Sequence, residues 1–200
     1  MEGNDIQQPS SEDVAFAKSG LKLPELLEDE IRMDKIVELL NEVERPEDKL
    51  SLALLISGAK PACIIKMDSF ALNLISMLRY PSHADSTYNL ISVAKDSETL
   101  DRMLEIDKIS DGNEHDRELG ILLGYPETAV DAFAKHESMQ LKDVPKEIDD
   151  SGISRFTNFV FSKDHWRDEL EVLKGQIKSV KDVLPDIYES VNWEVIDEIK

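Results

Sequence analysis

The most regular pattern in this 200-residue sequence is a set of apolar residues near its C-terminal end, spaced alternately four and three residues apart. The members of this set, here called the seam, are Trp166, Leu170, Leu173, Ile177, Val180 and Leu184. Such spacing keeps apolar side chains on one side of an α-helix, whereas the side chains of a β-strand alternate with a period of two. The sequence therefore predicts a long amphipathic helix over residues 163–184, whose apolar side has to be covered.

The seam can be covered in two ways. It can pack on the core of its own chain, as part of a helical C-terminal extension formed by residues 162–200. It can also pair with a helix of a protein partner or of a second copy, which makes residues 163–184 the predicted interface for binding or self-association. We expect packing on the chain's own core, with Ser162 as the helix cap and a break at Pro185.

Upstream of the seam, segments with helical spacing alternate with short runs of strand-forming residues. Predicted helices begin near Pro24, Pro46, Asp68, Ser97 and Asn113. Predicted strands cover residues 62–65, 88–94 and 156–161. Residues 80–83 are expected to form a loop. The expected fold is therefore α+β and helix-rich, with a small sheet of about three strands. Its expected regions are a loose segment (1–20), a mixed core (21–161) and the helical extension (162–200).

The chain is strongly acidic, with 42 Asp and Glu residues, 23 Lys and Arg residues and a formal net charge of −19. Residues 1–45, 46–136 and 137–200 carry net charges of −7, −6 and −6, so no third of the chain is basic. Nucleic acid and anionic membrane surfaces are therefore not expected as partners, because both repel a surface of this charge. Adaptation to a salty cytoplasm is an alternative origin of the acidity.

Three features predict a cytoplasmic protein. The longest apolar run, Leu52–Ile56, is far shorter than the roughly 20 residues that a membrane-spanning helix needs. The segment Met1–Asp5 is acidic and polar, unlike a secretion signal. Cys63 is the only cysteine, so no disulfide can form within the chain, which fits a reducing compartment.

Residues 113–137 are predicted to form a tight corner between two helices. Asn113 is expected to cap the first helix, Gly124 to allow a left-handed turn at its end, and Pro126 to start the second helix. The residues expected to face inward are Leu119, Leu122, Leu123, Val130 and Phe133.

This corner resembles the DNA-binding helix-turn-helix, because Leu119 and Gly120 are followed at the end of the first helix by Gly124. The resemblance implies a second helix that enters the major groove. That helix would bring Glu127 and Asp131 close to DNA, whose phosphates repel carboxylates. DNA binding is therefore only a minor alternative function.

Residues 115–133 also resemble a segment of archaeal conserved proteins of unknown function, in which a Leu-Gly-Tyr-Pro motif is followed one residue later by two cysteines. The matching residues are Leu123, Gly124, Tyr125 and Pro126. Thr128 and Ala129 stand at the positions of the two cysteines, so this chain lacks any metal or redox chemistry that such a pair would supply. The resemblance implies no activity.

Candidate site residues lie in and near the same segment. His115 and Glu118 are spaced to share one side of a helix, a pattern that suits general acid–base chemistry, with Arg117 placed to hold an anion. Tyr125 and His165 are candidate ligand-binding residues. The alternative is a solvated first helical turn whose acids face the positive end of the helix dipole. No metal site and no cofactor is predicted, because metal-binding and nucleotide-binding motifs are lacking.

Two functions are consistent with these patterns. The favoured one is a non-catalytic protein-interaction or regulatory module that uses the seam or the acidic surface, since no catalytic motif is present. The alternative is a small enzyme or ligand-binding protein, with a pocket beside the 113–126 corner and His115 as its acid or base.

Overall fold

The computed structural model describes residues 30–109, 111–139, 143–145 and 159–190. Within these residues the fold is α+β and rich in helix, as predicted, with eight helices and one three-stranded antiparallel sheet. The helices are α1 (Glu30–Glu42), α2 (Pro46–Ile56), α3 (Ser69–Leu78), α4 (Ser97–Ile106), α5 (Gly112–Leu122), α6 (Glu127–Ala134), α7 (Trp166–Val183) and α8 (Pro185–Ser190). The strands are β1 (Ala62–Lys66), β2 (Ser82–Asp85) and β3 (Leu90–Ala94).

The central strand of the sheet is β3, with β1 and β2 paired to its two edges. Cys63 of β1 lies opposite Val93, and Ile65 lies opposite Ile91. All four side chains are buried, so β1 and β3 contribute to the core. Both segments are rich in strand-forming apolar residues, which is why their positions could be predicted.

The third strand is not the one that the sequence predicts. The described part of segment 156–161, Phe159–Phe161, contains no strand, and the rest of that segment lies outside the described residues. Instead β2 forms at Ser82–Asp85, within and just after the expected loop. Its side chains are mostly exposed, and its backbone pairs with β3. An edge strand of this kind carries no apolar signal in its sequence.

The core lies where α1, α2 and α3 meet β1, β3 and α7. The most buried element is α2, in which every residue of Leu52–Ile56 is at most 2% exposed. The longest apolar run of the sequence is therefore a core helix. Of the two possible caps of α3, Asp68 and Ser69, Asp68 takes the role: its carboxylate accepts hydrogen bonds from the backbone N–H groups of Phe70 (2.6 Å) and Ala71 (3.3 Å).

The seam faces the core of its own chain. Leu170, Leu173, Val180 and Leu184 are buried, and Trp166 and Ile177 are half-buried beside them. Burial of one such Leu side chain stabilises a fold by about 1.5–3 kcal/mol relative to its exposure.

The helix α7 begins at Trp166, so Ser162 is not the cap that the sequence predicts. The Ser162 hydroxyl instead accepts a hydrogen bond from the His165 backbone N–H at 2.9 Å, within the turn that precedes α7.

The predicted loose segment, residues 1–20, and the predicted helix start near Pro24 lie outside the described residues. In the part of the chain that is described, no helix is both long enough and apolar enough to cross a membrane.

Candidate functional site

The predicted corner is formed by α5 and α6, which meet at residues 123–126. The cap of α5 is Asp111 and not Asn113. The Asp111 carboxylate accepts hydrogen bonds from the backbone N–H groups of Asn113 (2.9 Å) and Glu114 (3.2 Å). Both side chains suit a cap, and the helix starts one residue before Asn113, so the earlier acid takes the role.

Two glycines allow the corner to pack closely. A Cβ atom at Gly120 would lie 2.8 Å from a methyl group of Val130 on α6. At Gly124 a Cβ atom would lie 2.9 Å from the Pro61 side chain and 3.3 Å from Lys60 Cγ. Gly124 also has φ +75°, which costs free energy for any residue with a Cβ. The glycines that suggested a helix-turn-helix therefore have a packing role at these two positions.

Arg117 joins the two helices of the corner. Its Nε donates to Asp131 at 2.8 Å, and its Nη2 donates to Glu127 at 2.8 Å. A third contact, 3.2 Å long, links Nη1 to Glu118. The hydrogen bond to Asp131 raises the pKa of Arg117. The guanidinium that was expected to hold an anion is therefore occupied by carboxylates of its own chain.

Two buried polar side chains of α7 support the corner, and sequence reasoning misses both. Glu169 is 1% exposed and accepts hydrogen bonds from the Thr128 hydroxyl (2.7 Å) and the Ser162 backbone N–H (2.8 Å). The Gln176 side-chain amide donates to the Gly124 carbonyl at 3.1 Å. These residues flank the apolar seam, where polar residues would ordinarily be assigned to solvent.

A cavity of about 290 Å³, here called the corner cavity, lies between α5, α6 and residues 159–160. Its lining is mostly apolar: Leu119, Gly120, Leu123, Tyr125, Ala129, Val130, Phe133, Phe159 and Val160, with Asp116 at the polar end. Phe133 is 50% exposed and Val160 is 45% exposed, so both stand at its rim. The prediction that Phe133 faces inward is therefore wrong, because the inner side of α6 is already filled by Ala129, Val130 and Ala132.

Leu123 and Tyr125 line both the corner cavity and a second cavity of about 110 Å³, here called the lysine cavity. Its lining residues are Ser51, Lys60, Ala62, Cys63, Ile64, Leu123 and Tyr125. Lys60 is only 3% exposed, and its Nζ lies 4.2 Å from the centre of the Tyr125 ring. Burial lowers the pKa of Lys60 to about 7 and raises the pKa of the Cys63 thiol to about 12.

The other predicted site residues do not converge on these cavities. His115 contacts Asp116 (Nδ1–Oδ1, 3.1 Å) and Asp107 (Nε2–Oδ1, 3.7 Å), and not the expected Glu118. Glu118 instead pairs with Arg102 and Arg117. Of the five predicted catalytic and ligand-binding residues, only Tyr125 lines either cavity.

His165, the other predicted ligand-binding residue, lies in the exposed turn before α7. It occupies the N-cap position of that helix, and its side chain makes no cap hydrogen bond. His165 and Tyr125 therefore do not form a shared site.

Lys60 is the residue that sequence reasoning misses most plainly. The one available signal is its position, directly before Pro61 and the buried strand β1, in a stretch that is otherwise apolar. Position alone does not predict burial, because a lysine between a helix and a strand is ordinarily a solvated loop residue. The ring that covers it, Tyr125, belongs to a distant part of the chain.

Within the described ranges, no group of three or more His, Cys, Asp or Glu residues is arranged to hold a metal ion. No protein-family model, curated protein or solved structure matches the chain. The resemblance of residues 115–133 to archaeal proteins therefore stays a prediction.

Proposed function

We propose that the chain binds a small, mainly apolar molecule in the corner cavity. The observation that carries this proposal is a space of about 290 Å³ walled by apolar residues such as Leu119, Leu123 and Val130. This volume is close to the lower end of ligand sites, which measure roughly 300–1,000 Å³. Filling such a space with apolar atoms is favourable by about 25 cal/mol for each Å² removed from water. This is the ligand-binding function that the sequence offers as an alternative.

The charge around the corner cavity favours a ligand with a cationic end. Asp116 is the one carboxylate among the described lining residues, and its side chain is 49% exposed. The net charge of −19 adds a long-range attraction for cations. An exposed ion pair contributes about 0.2–1 kcal/mol, so we expect an amine to bind about 1.4- to fivefold more tightly than a carboxylate of matched size.

Calorimetric titration with 2-phenylethylamine and phenylacetate tests this proposal. Val160→Trp places a large side chain at the rim of the corner cavity and should weaken binding of 2-phenylethylamine by about tenfold or more. Val172→Trp is the matched control. Val172 on α7 is 46% exposed, nearly the same as Val160 at 45%, but it does not line the cavity. Equal binding by the two variants would contradict the proposal.

Protein interaction is the second candidate function, and the exposure of Phe133 and Val160 favours it. A partner could insert an apolar side chain between these two residues, and the acidity of the chain favours a basic partner.

Binding or self-association through residues 163–184 remains a further proposal. It is less favoured, because the seam is already packed in the core. Light scattering at increasing protein concentration would test self-association, and a constant molecular mass would contradict it.

A cytoplasmic location is also proposed, on the acidic composition and the single cysteine, Cys63. Fractionation of cells that produce the tagged full-length chain tests it. Recovery with the cytosolic fraction is expected, and recovery outside the cell would contradict the proposal.

A further inference from the structure

We propose that Lys60 is a reactive amine that forms an imine with a small aldehyde or ketone entering the lysine cavity. The Lys60 side chain lines this cavity together with Ser51 and Tyr125. The inference concerns a different space from the corner cavity and does not depend on what binds there. Lys60 is a primary amine that is shielded from water and lies next to a cavity in which a reactant can bind.

The surroundings of Lys60 favour the neutral amine. Its side chain is 3% exposed, and no carboxylate of the described residues forms an ion pair with Nζ. The face of the Tyr125 ring stabilises an ammonium only in part, by about 0.5–2 kcal/mol. Burial consequently lowers the pKa of Lys60 to about 7. Roughly half of the amine is then neutral at pH 7, against about 1 in 2,500 for an exposed lysine.

The neighbouring side chains neither neutralise Lys60 nor compete with it. Burial raises the pKa of Cys63 to about 12 and raises that of Tyr125, so both groups keep their protons at pH 7. The thiol is therefore no anionic partner for the lysine. A structural lysine of this depth would ordinarily be paired with a carboxylate, because an unpaired buried ammonium destabilises the fold.

The size of the lysine cavity limits the reactant. A water molecule occupies roughly 30 Å³ in the liquid, so about 110 Å³ holds a molecule of about four non-hydrogen atoms. Ser51 and Ile64, two of the residues that line this cavity, are only half-buried. The expected reactant class is therefore a short-chain aldehyde or ketone.

The reaction balances without any oxidant or reductant. The lone pair of the neutral Nζ attacks the carbonyl carbon and forms a C–N bond, while the carbonyl π-electrons move to oxygen, which takes up one of the two Nζ protons. The resulting carbinolamine loses its hydroxyl group together with the second Nζ proton as water, and the nitrogen electrons form the C=N bond. The product is an imine and one released water molecule.

Reductive trapping on the native, unsubstituted chain tests the inference. The chain is incubated at pH 7 with limiting acetaldehyde and sodium cyanoborohydride, and peptide mass spectrometry then measures ethylation of each lysine. Lys60 is expected to react at least about tenfold faster than the exposed Lys35 and Lys135, because far more of it is neutral. The ratio of the Lys60 ethylation rate to that of the exposed lysines should fall at pH 9.5, where more of the exposed lysines are neutral. Ethylation of Lys60 no faster than that of the exposed lysines would overturn the inference.

A variant that fills the lysine cavity tests whether the reactivity of Lys60 depends on that cavity. Ser51→Leu is designed to fill the lysine cavity and should slow ethylation of Lys60 at least fivefold while leaving that of Lys35 and Lys135 unchanged. Unaltered Lys60 ethylation in a folded Ser51→Leu chain would contradict a role for the cavity. The 2-phenylethylamine titration reports on the corner cavity separately, so either proposal can fail without the other.

Discussion

At Gly124 the backbone has φ +75°, and Pro61 and Lys60 fill the space that a Cβ would need. We expect Gly124→Ala to lower the free energy of unfolding by about 1–3 kcal/mol in urea denaturation. Gly175→Ala is the matched control, because a Cβ there on α7 meets nothing within 4 Å. Alanine is the better helix former, so this control should gain up to ~1 kcal/mol. Similar effects at both positions would show that the corner is not tightly packed.

Lys60 gives the fold a pH dependence whose sign follows from its pKa. The folded value, about 7, lies below the ordinary 10.5, so between these two values the unfolded chain binds more protons. The contribution of Lys60 to stability is therefore lowest below pH 7 and rises with pH across that window. We expect Lys60→Met to be more stable than the unsubstituted chain at pH 6. Its advantage should shrink by up to ~1.4 kcal/mol per pH unit above pH 7.

Urea denaturation of both chains at pH 6, 7, 8 and 9 measures this difference. The substitution Lys135→Met removes an exposed lysine of the same corner and should show no such trend. A stability difference between Lys60→Met and the unsubstituted chain that stays constant with pH would argue against a buried, unpaired ammonium.

At the scale of elements, α7 holds the corner in place through Glu169. Its buried carboxylate joins the exposed Thr128 of α6 to the buried Ser162 backbone. Glu169→Ala leaves these two donors without their acceptor and should cost about 1–3 kcal/mol of stability, measured by thermal or urea unfolding. Glu171→Ala on the same helix removes an acid whose side chain is 70% exposed. That control should change stability by less than about 0.5 kcal/mol. A Glu169→Ala effect as small as that of the control would contradict this role.

The elements that could be predicted are those whose signal is local. The helix α7 follows from the spacing of the seam, and α3 follows from the Asp68 cap and the apolar residues after it. The strand β2 could not be predicted, because its residues form a strand only through backbone pairing with β3. The predicted cap of α5, Asn113, lies two residues after the observed cap, Asp111, because both side chains suit this position.

The location of the candidate site can be predicted from the sequence, but most of the residues that form it cannot. The corner and Tyr125 follow from the Gly-Tyr-Pro sequence, which demands a turn between two helices. The roles of Lys60 and Glu169 depend on Tyr125 and Thr128, which are distant in the sequence. No local pattern records such a contact. The predicted His115–Glu118 pair failed for the same reason, because Asp107 and Arg102 of the α4 region compete for the two side chains.

At the scale of the whole molecule, the C-terminal helices share the core with the N-terminal ones. Leu173, Leu184 and Ile187 are fully buried in the same cluster as Leu40 and Leu54. The seam therefore stabilises this chain, and the surface left for other molecules includes the corner and its acidic surroundings. The net charge of −19 acts on that surface by attracting cations.

The central claim is that the corner cavity takes up a small apolar molecule, and an amide NMR titration of the ¹⁵N-labelled chain with 2-phenylethylamine tests it most directly. The account predicts saturable shifts concentrated at the backbone amides of the cavity lining, among them Gly120, Tyr125 and Val130. The seam amides of α7 that lie away from the corner, such as Leu184, should not shift. Shifts that do not saturate, or that scatter over the acidic surface, would contradict it.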